Sequence, residues 1–188
     1  MNEEQLPNGY PHHLVMSFES QQGEEILIRP ILPADAARLQ ELHSRLSPES
    51  IYRRFFAHRP ILSDNEARKL ATLDYRLSLA LVAARQVEPD QLVGVARFAP
   101  SPERSQSVEM AIVVNDAYQG HGIGRRLFQE LARAASELGQ HWMLVETQSD
   151  NKPMIDLAER AGYTTNTVYQ TTMYQIWLDL TSPRPVSL

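Results

Sequence analysis

Between an apolar run, Val108 to Asn115, and a helical repeat of Ile123, Leu127, Leu131, Ala135 and Leu138 stands the segment Gln119-Gly120-His121-Gly122-Ile123-Gly124. The run before it predicts a strand, and the spacing after it predicts a long helix. The chain must therefore pass from strand to helix start through glycines, which admit backbone angles closed to other residues. A helix start presents unpaired N–H groups and a partial positive charge, and a glycine lets an anion approach the backbone without a Cβ in the way. Arg125 and Arg126 add two positive charges nearby. Taken alone, the glycines fit an ordinary strand-to-helix turn as well as an anion site.

The rest of the chain limits the alternatives. The dinucleotide signature needs G-x-G-x-x-G, whereas Gly120, Gly122 and Gly124 are spaced G-x-G-x-G, and no Walker G-x-x-x-x-G-K-[ST] occurs. A formal charge of -5 and a pI near 5.7 give no general attraction to phosphate backbones, which argues against nucleic acid as partner. No apolar run approaches the roughly 20 residues that cross a bilayer, and the N-terminus lacks the pattern of a signal peptide, so no membrane partner and a cytoplasmic location are expected. The chain has no cysteine, which removes disulfides, thiolate metal sites and a cysteine nucleophile together. His12 and His13 have no further ligand at a diagnostic spacing, and no metal is expected.

A chain of 188 residues with 43% hydrophobic content suits one domain. Residues 1–24, with Pro7, Gly9, Pro11 and no sustained period, read as a loose leader. Residues 25–180 read as the folded domain and 181–188 as a tail. Ile26 to Ile28 predict a strand, and Pro33-Ala34-Asp35 opens a helix carrying Leu39, Leu42 and Leu46. Ser47-Pro48-Glu49 and Ser63-Asp64-Asn65-Glu66 each begin another helix, with serine as cap. Ser78 to Arg85 and Leu92 to Phe98 should pair as antiparallel strands across a polar connection containing Pro89. Trp142 to Thr147 predicts a strand, Asn151 to Ala161 a short helix, and Tyr163 to Leu178 two final strands. The order is mixed α/β without internal repeat; the apolar final strands leave a monomer or a homodimer as the expected states.

Gln119, Gly122 and Gly124 match the pattern [QR]-x-x-G-x-[GA], and the segment resembles the acyl-CoA motif of the GNAT acyltransferases. The surroundings agree in order: a strand before the motif, a helix after it, a further strand, Asn151 at the next helix start, and Ala161-Gly162-Tyr163 where that family commonly has Leu-Gly-Phe. The likeness spans roughly Ile26 to Leu180. It implies a central, mostly antiparallel sheet that splays at the cofactor site and is flanked by helices, with acetyl-CoA as co-substrate. By that resemblance, Gln119, Gly120, His121, Gly122, Ile123, Gly124 and Arg125 surround the CoA pyrophosphate. Ile112, Val113 and Val114 line the pantetheine arm, Asn151 contacts it, Met154 lies close to it, and the Val113 N–H polarises the thioester carbonyl. The segments Leu46 to Phe56, Glu109 to Val114 and Asn151 to Met154 also resemble the catalytic domain of bacterial Pat-type protein lysine acetyltransferases.

Attack by an amine on a thioester requires that the amine lose a proton. Strand alternation puts Glu109 on one face with Ala111 and Val113, opposite Val108, Met110, Ile112 and Val114, and the Pat-type domains place their base at the matching glutamate. Many GNAT enzymes carry an acidic tyrosine seven residues after the helix-start asparagine; here that position is Ala158, with Tyr163 as another phenol to weigh. The expected activity is transfer of acetyl from acetyl-CoA to a primary amine, with a protein lysine as acceptor. A small-molecule amine as acceptor, or an idle acyl-CoA sensor on the same fold, are the alternatives.

Overall fold

The computed structural model describes residues 6–183, which form one eight-stranded sheet with helices on both faces. The strands are β1 (Met16–Glu19), β2 (Glu25–Pro30), β3 (Leu79–Arg85), β4 (Glu88–Pro100), β5 (Ser107–Val114), β6 (Trp142–Gln148), β7 (Tyr163–Gln170) and β8 (Met173–Pro183). They lie in the order β1-β2-β3-β4-β5-β6-β8-β7. All neighbours are antiparallel except β5 and β6. That parallel pair requires a crossover, which α4 (Ile123–Glu137) supplies.

Helix α4 and α5 (Lys152–Glu159) cover one face. Leu127, Phe128 and Leu131 pack there against Ile26, Ile28, Phe98, Met110 and Val145. On the other face, α1 (Ala36–Ser44) and α3 (Asp64–Ala71) bury Leu39, Leu42, Ala67 and Ala71 over Ala80, Val82 and Ala84. Helix α2 (Pro48–Phe55) stands over the end of β5. The helix starts follow the expected caps: Ser47 accepts from the Ser50 N–H, and Ser63 and Glu66 form a capping box.

Three expectations change. Much of the supposed leader belongs to the packed body: β1 pairs with β2, Met16 opposite Ile28 and Phe18 opposite Ile26, while Tyr10 and Leu14 are buried. The Tyr10 hydroxyl donates to the Pro30 carbonyl at 3.2 Å. Four residues of edge strand are too few to show a period, which is why the sequence pattern missed β1. The connection containing Pro89 is also shorter than expected, because β4 already begins at Glu88. Arg85 pairs with Glu88 and Ala84 with Leu92, so Pro89 sits in a bulge where no ladder N–H is needed. Of the expected tail, residues 181–183 extend β8; 184–188, like 1–5 of the leader, lie outside the described residues.

Gly94 on β4 lets α4 approach the sheet closely. A Cβ there would lie 3.2 Å from Leu127 Cδ1, 3.3 Å from the Val113 carbonyl oxygen and 3.3 Å from Val114 Cγ2. Gly94→Val should therefore destabilise the fold by about 1–3 kcal/mol through overpacking. Urea denaturation checks this; an unchanged midpoint would contradict the packing described.

Candidate active site

Strands β5 and β6 run together only from Ser107 opposite Trp142 to Met110 opposite Val145. Beyond that point β5 keeps its partner β4 and β6 keeps β8, so the two strands part. A cleft of about 460 Å³ opens there, between α2, the end of β5, the start of α4 and α5. Nine of the residues expected at the site line it: Glu109, Ile112, Val113 and Val114 from β5, Gln119, Gly120 and Gly124 from the glycine turn, and Asn151 and Met154 at α5. His121, Gly122, Ile123 and Arg125 do not line it. The Ile123 side chain is fully buried in the core and anchors α4, whereas Arg125 faces solvent.

The glycine turn is held from several sides. The Asn115 side chain accepts from the Ala117 N–H at 3.1 Å and donates to the Arg45 carbonyl at 3.1 Å. Gln119 Nε2 donates to the Val114 carbonyl at 3.1 Å and to Ser50 Oγ at 3.2 Å. Gly122 sits at φ +85°, a left-handed conformation that glycine adopts freely and other residues resist. The first amide to find a partner in α4 is Arg126, which donates to the Gly122 carbonyl at 3.0 Å. The N–H groups of Ile123, Gly124 and Arg125 precede it and have no acceptor within the helix. Gly120, at φ +77°, has nothing within 4 Å of where a Cβ would stand, so the backbone there is open to approach. These features fit a pyrophosphate. The β1–β2 turn braces the loop from outside, Gln21 N–H donating to the His121 carbonyl at 3.0 Å.

Edge direction along β5 corrects one expectation. Asn115 N–H donates to the Val93 carbonyl at 2.8 Å. With Val113 opposite Val95 in the same antiparallel ladder, alternation turns the Val113 N–H toward β4 as well. The N–H groups that face the gap are those of Ile112 and Val114.

Glu109 projects from β5 with its side chain exposed at the cleft wall. Partial burial pushes its carboxyl above the ordinary glutamate range, the nearby Glu146 and Glu103 add to the rise, and Arg54 opposes it. Asn151 caps α5, accepting from the Met154 N–H at 3.4 Å, and its Nδ2 donates to Thr147 Oγ1 at 3.0 Å. Its Oδ1 also accepts from Arg53 Nη1 at 3.4 Å, which ties α2 to α5 across the cleft. Asp116 clamps the other end of α2, accepting from Ser47 N–H at 2.9 Å, Ser47 Oγ at 2.7 Å and Ser50 Oγ at 2.8 Å. Ala158 is fully buried in the core. Tyr163 does not line the cleft; burial pushes its phenol up, and the charges it feels, Arg133, Glu137 and Glu130, are not those around Glu109.

Sequence reasoning missed Asp116, Glu146 and Arg97, and gave Arg54 no role beyond its place in the segment Leu46 to Phe56. The signal for Arg97 was a charge inside the otherwise apolar run Leu92 to Phe98.

A sheet that splays between two parallel central strands, above a glycine-rich helix start, defines an acyltransferase of the GNAT kind. Residues 39–163 match the Acetyltransferase (GNAT) family, and the chain belongs to it. An acetyltransferase of Pseudomonas aeruginosa is 31% identical over 152 residues, covering 80% of each chain. Acetyltransferase Pat of Mycolicibacterium smegmatis is 30% identical over 141 residues, which cover 74% of this chain and 41% of that longer protein. Among solved structures, the GNAT domain of S. lividans PAT superimposes with a TM-score of 0.81 at 28% identity, covering 90% of this chain and 99% of that one. No helix among the described residues is long and apolar enough to cross a membrane.

Proposed function

We propose that the protein transfers acetyl from acetyl-CoA to a primary amine by direct attack, with Glu109 as general base. The observation that carries this reading is the position of Glu109 on the wall of a cleft that reaches Gly120 and Gly124, at the start of α4, where the first three amides have no acceptor within the helix. Bound acetyl-CoA supplies an acetyl thioester. The amides of Ile123, Gly124 and Arg125 hold its pyrophosphate, with Gly120 keeping the approach open, Gly122 supplying the left-handed turn and Gln119 fixing it. The gap-facing amides of Ile112 and Val114 receive the pantetheine arm and the thioester oxygen, in the manner of an oxyanion hole. Asn151 and Met154 close the opposite side. Glu109 takes the amine proton, directly or through water; its raised pKa brings it closer to the working pH, as a general base requires. With Ala158 buried, no acid is needed at the usual tyrosine position, because a thiolate leaves without full protonation.

Likeness to the Pat proteins supports a protein lysine as acceptor. The arginines Arg54 and Arg97 at the acceptor end of the cleft support a small amine instead. Release of free thiol from acetyl-CoA, measured against a panel of amines and a lysine-rich protein, tests the activity. Amine-dependent release is expected; acetyl-CoA that binds without release to any acceptor would favour the idle-sensor alternative.

A further inference from the structure

Two arginines stack on Phe55 where the cleft ends, and a third, Arg97, lines the small pocket behind it. Arg54 lies over the ring at 4.7 Å and Arg59 at 5.0 Å. Arg97 joins Arg54 and Phe55 in the wall of a small pocket of about 40 Å³ that shares Val113 with the cleft. Arg97 stands opposite Ala111 in the β4–β5 ladder, which puts it on the same sheet face as Ala111, Glu109 and Val113.

Their neighbours have counter-ions. Arg59 meets Glu66 at 3.1 Å, and Arg53 meets Glu49 at 2.5 Å. Buried Arg29 meets Asp35 at 2.7 Å. Among the described residues, Arg54 and Arg97 have neither a carboxylate within 4.0 Å nor a hydrogen bond to protein. Both are half-buried; that burial, with the charge of Arg97 added and that of Glu109 opposing, pulls Arg54 down to about 10, and burial lowers Arg97. Both still carry their charge at neutral pH. A half-buried guanidinium without a protein partner keeps its donors free for a ligand, and its fork matches a carboxylate. Glu109 supplies one negative charge at a distance and is itself pushed toward protonation by burial, with Glu146 and Glu103 adding to it.

Building on the acetyl-transfer reading, we infer that the acceptor is a small amine carrying a carboxylate a few bonds from its nitrogen, held by Arg54 and Arg97 while the amine faces Glu109. Arg54 lines the cleft together with Glu109 and feels its charge, so the anion subsite and the base are neighbours, and the spacer between amine and carboxylate is short. A protein lysine side chain bears no such carboxylate. In the step itself the amine nitrogen bonds to the acetyl carbon, the thioester C–S bond breaks with its electron pair on sulfur, and the amine proton passes to Glu109.

Thiol release compares L-leucine with 3-methylbutylamine, which differ by the carboxylate. The wild type should favour L-leucine in kcat/KM by about 10- to 100-fold, as expected for hydrogen bonds to a charged group. Arg97→Gln and Arg54→Gln should bring the ratio toward one, with Arg97→Lys in between. Because the readout is a ratio within each variant, partial loss of folded enzyme cancels. No preference in the wild type, or a preference that survives both glutamine variants, overturns the assignment. So does a higher kcat/KM for a lysine peptide flanked by acidic residues than for L-leucine. If no amine is acetylated, the acetyl-transfer reading fails; calorimetric binding of N-acetyl-L-leucine to wild type and Arg97→Gln then decides the arginine site alone, equal affinities or no binding overturning it.

Discussion

Replacing Glu109 with glutamine should lower kcat/KM for the amine about 100-fold or more and leave acetyl-CoA binding as in the wild type. Glutamine keeps the size of the side chain and removes only its ability to take a proton. The base works ionised, so wild-type activity should fall as pH drops through the Glu109 pKa, which lies above the usual glutamate value because of burial and the two acidic neighbours. The variant should lack that acidic limb. At high pH solution deprotonates the amine without help, and the difference between wild type and variant should narrow there. The full pH profile of thiol release checks this; a variant matching the wild type at every pH would sink the assignment of Glu109.

Asp35→Asn should cause the largest loss of stability. Asp35 is fully buried and joins β2 to α1: Arg29 donates to both of its oxygens at 2.7 Å, Arg38 at 2.8 Å and the Leu32 N–H at 2.8 Å. Removing the negative charge strands the buried Arg29 guanidinium, which typically costs about 3–5 kcal/mol. For a domain of this size the Tm should fall by roughly 10 °C. Burial alone would raise the Asp35 pKa, but the bonds from Arg29 outweigh it, with Arg38 and the Leu32 amide adding to them, so the net shift is downward. Its contribution is therefore present above the unfolded carboxylate value near ~3.9 and lost as pH falls through the lower folded value. Urea denaturation between pH 7 and pH 3 should show the start of that loss in the wild type and a shallower slope in the variant. An equal slope in both would contradict it.

The parts of the fold that the sequence made legible are those written in local chemistry. Ser47, Ser63 and Asn151 are caps because each offers a side-chain oxygen to an amide three residues on, and all three cap the helices expected of them. The glycine turn was legible for the same reason. What depends on pairing was not. Strand alternation tells which face a side chain occupies, and Glu109, Ala111 and Val113 share a face as expected; it does not tell toward which neighbour an amide points. The Val113 N–H faces β4 because of the ladder marked by Asn115 and Val93, a bond between residues far apart in sequence. The parting of β5 from β6 likewise has no trace in the composition of either strand. Asp116 is a single acidic residue until the fold brings Ser47 and Ser50 to it, and Arg97 is a lone charge until α2 brings Arg54 beside it.

On the proposed reading, acetyl-CoA occupies the wedge between β5 and β6 with its pyrophosphate on the start of α4. Hydrogen exchange with and without acetyl-CoA tests it most directly, because amides with no protein acceptor exchange freely until a ligand takes their hydrogens. Protection should appear on binding at the amides of Ile123 to Arg125 and at Ile112 and Val114, with little change at Val113. Binding of acetyl-CoA that leaves the exchange of these amides unaltered would contradict it.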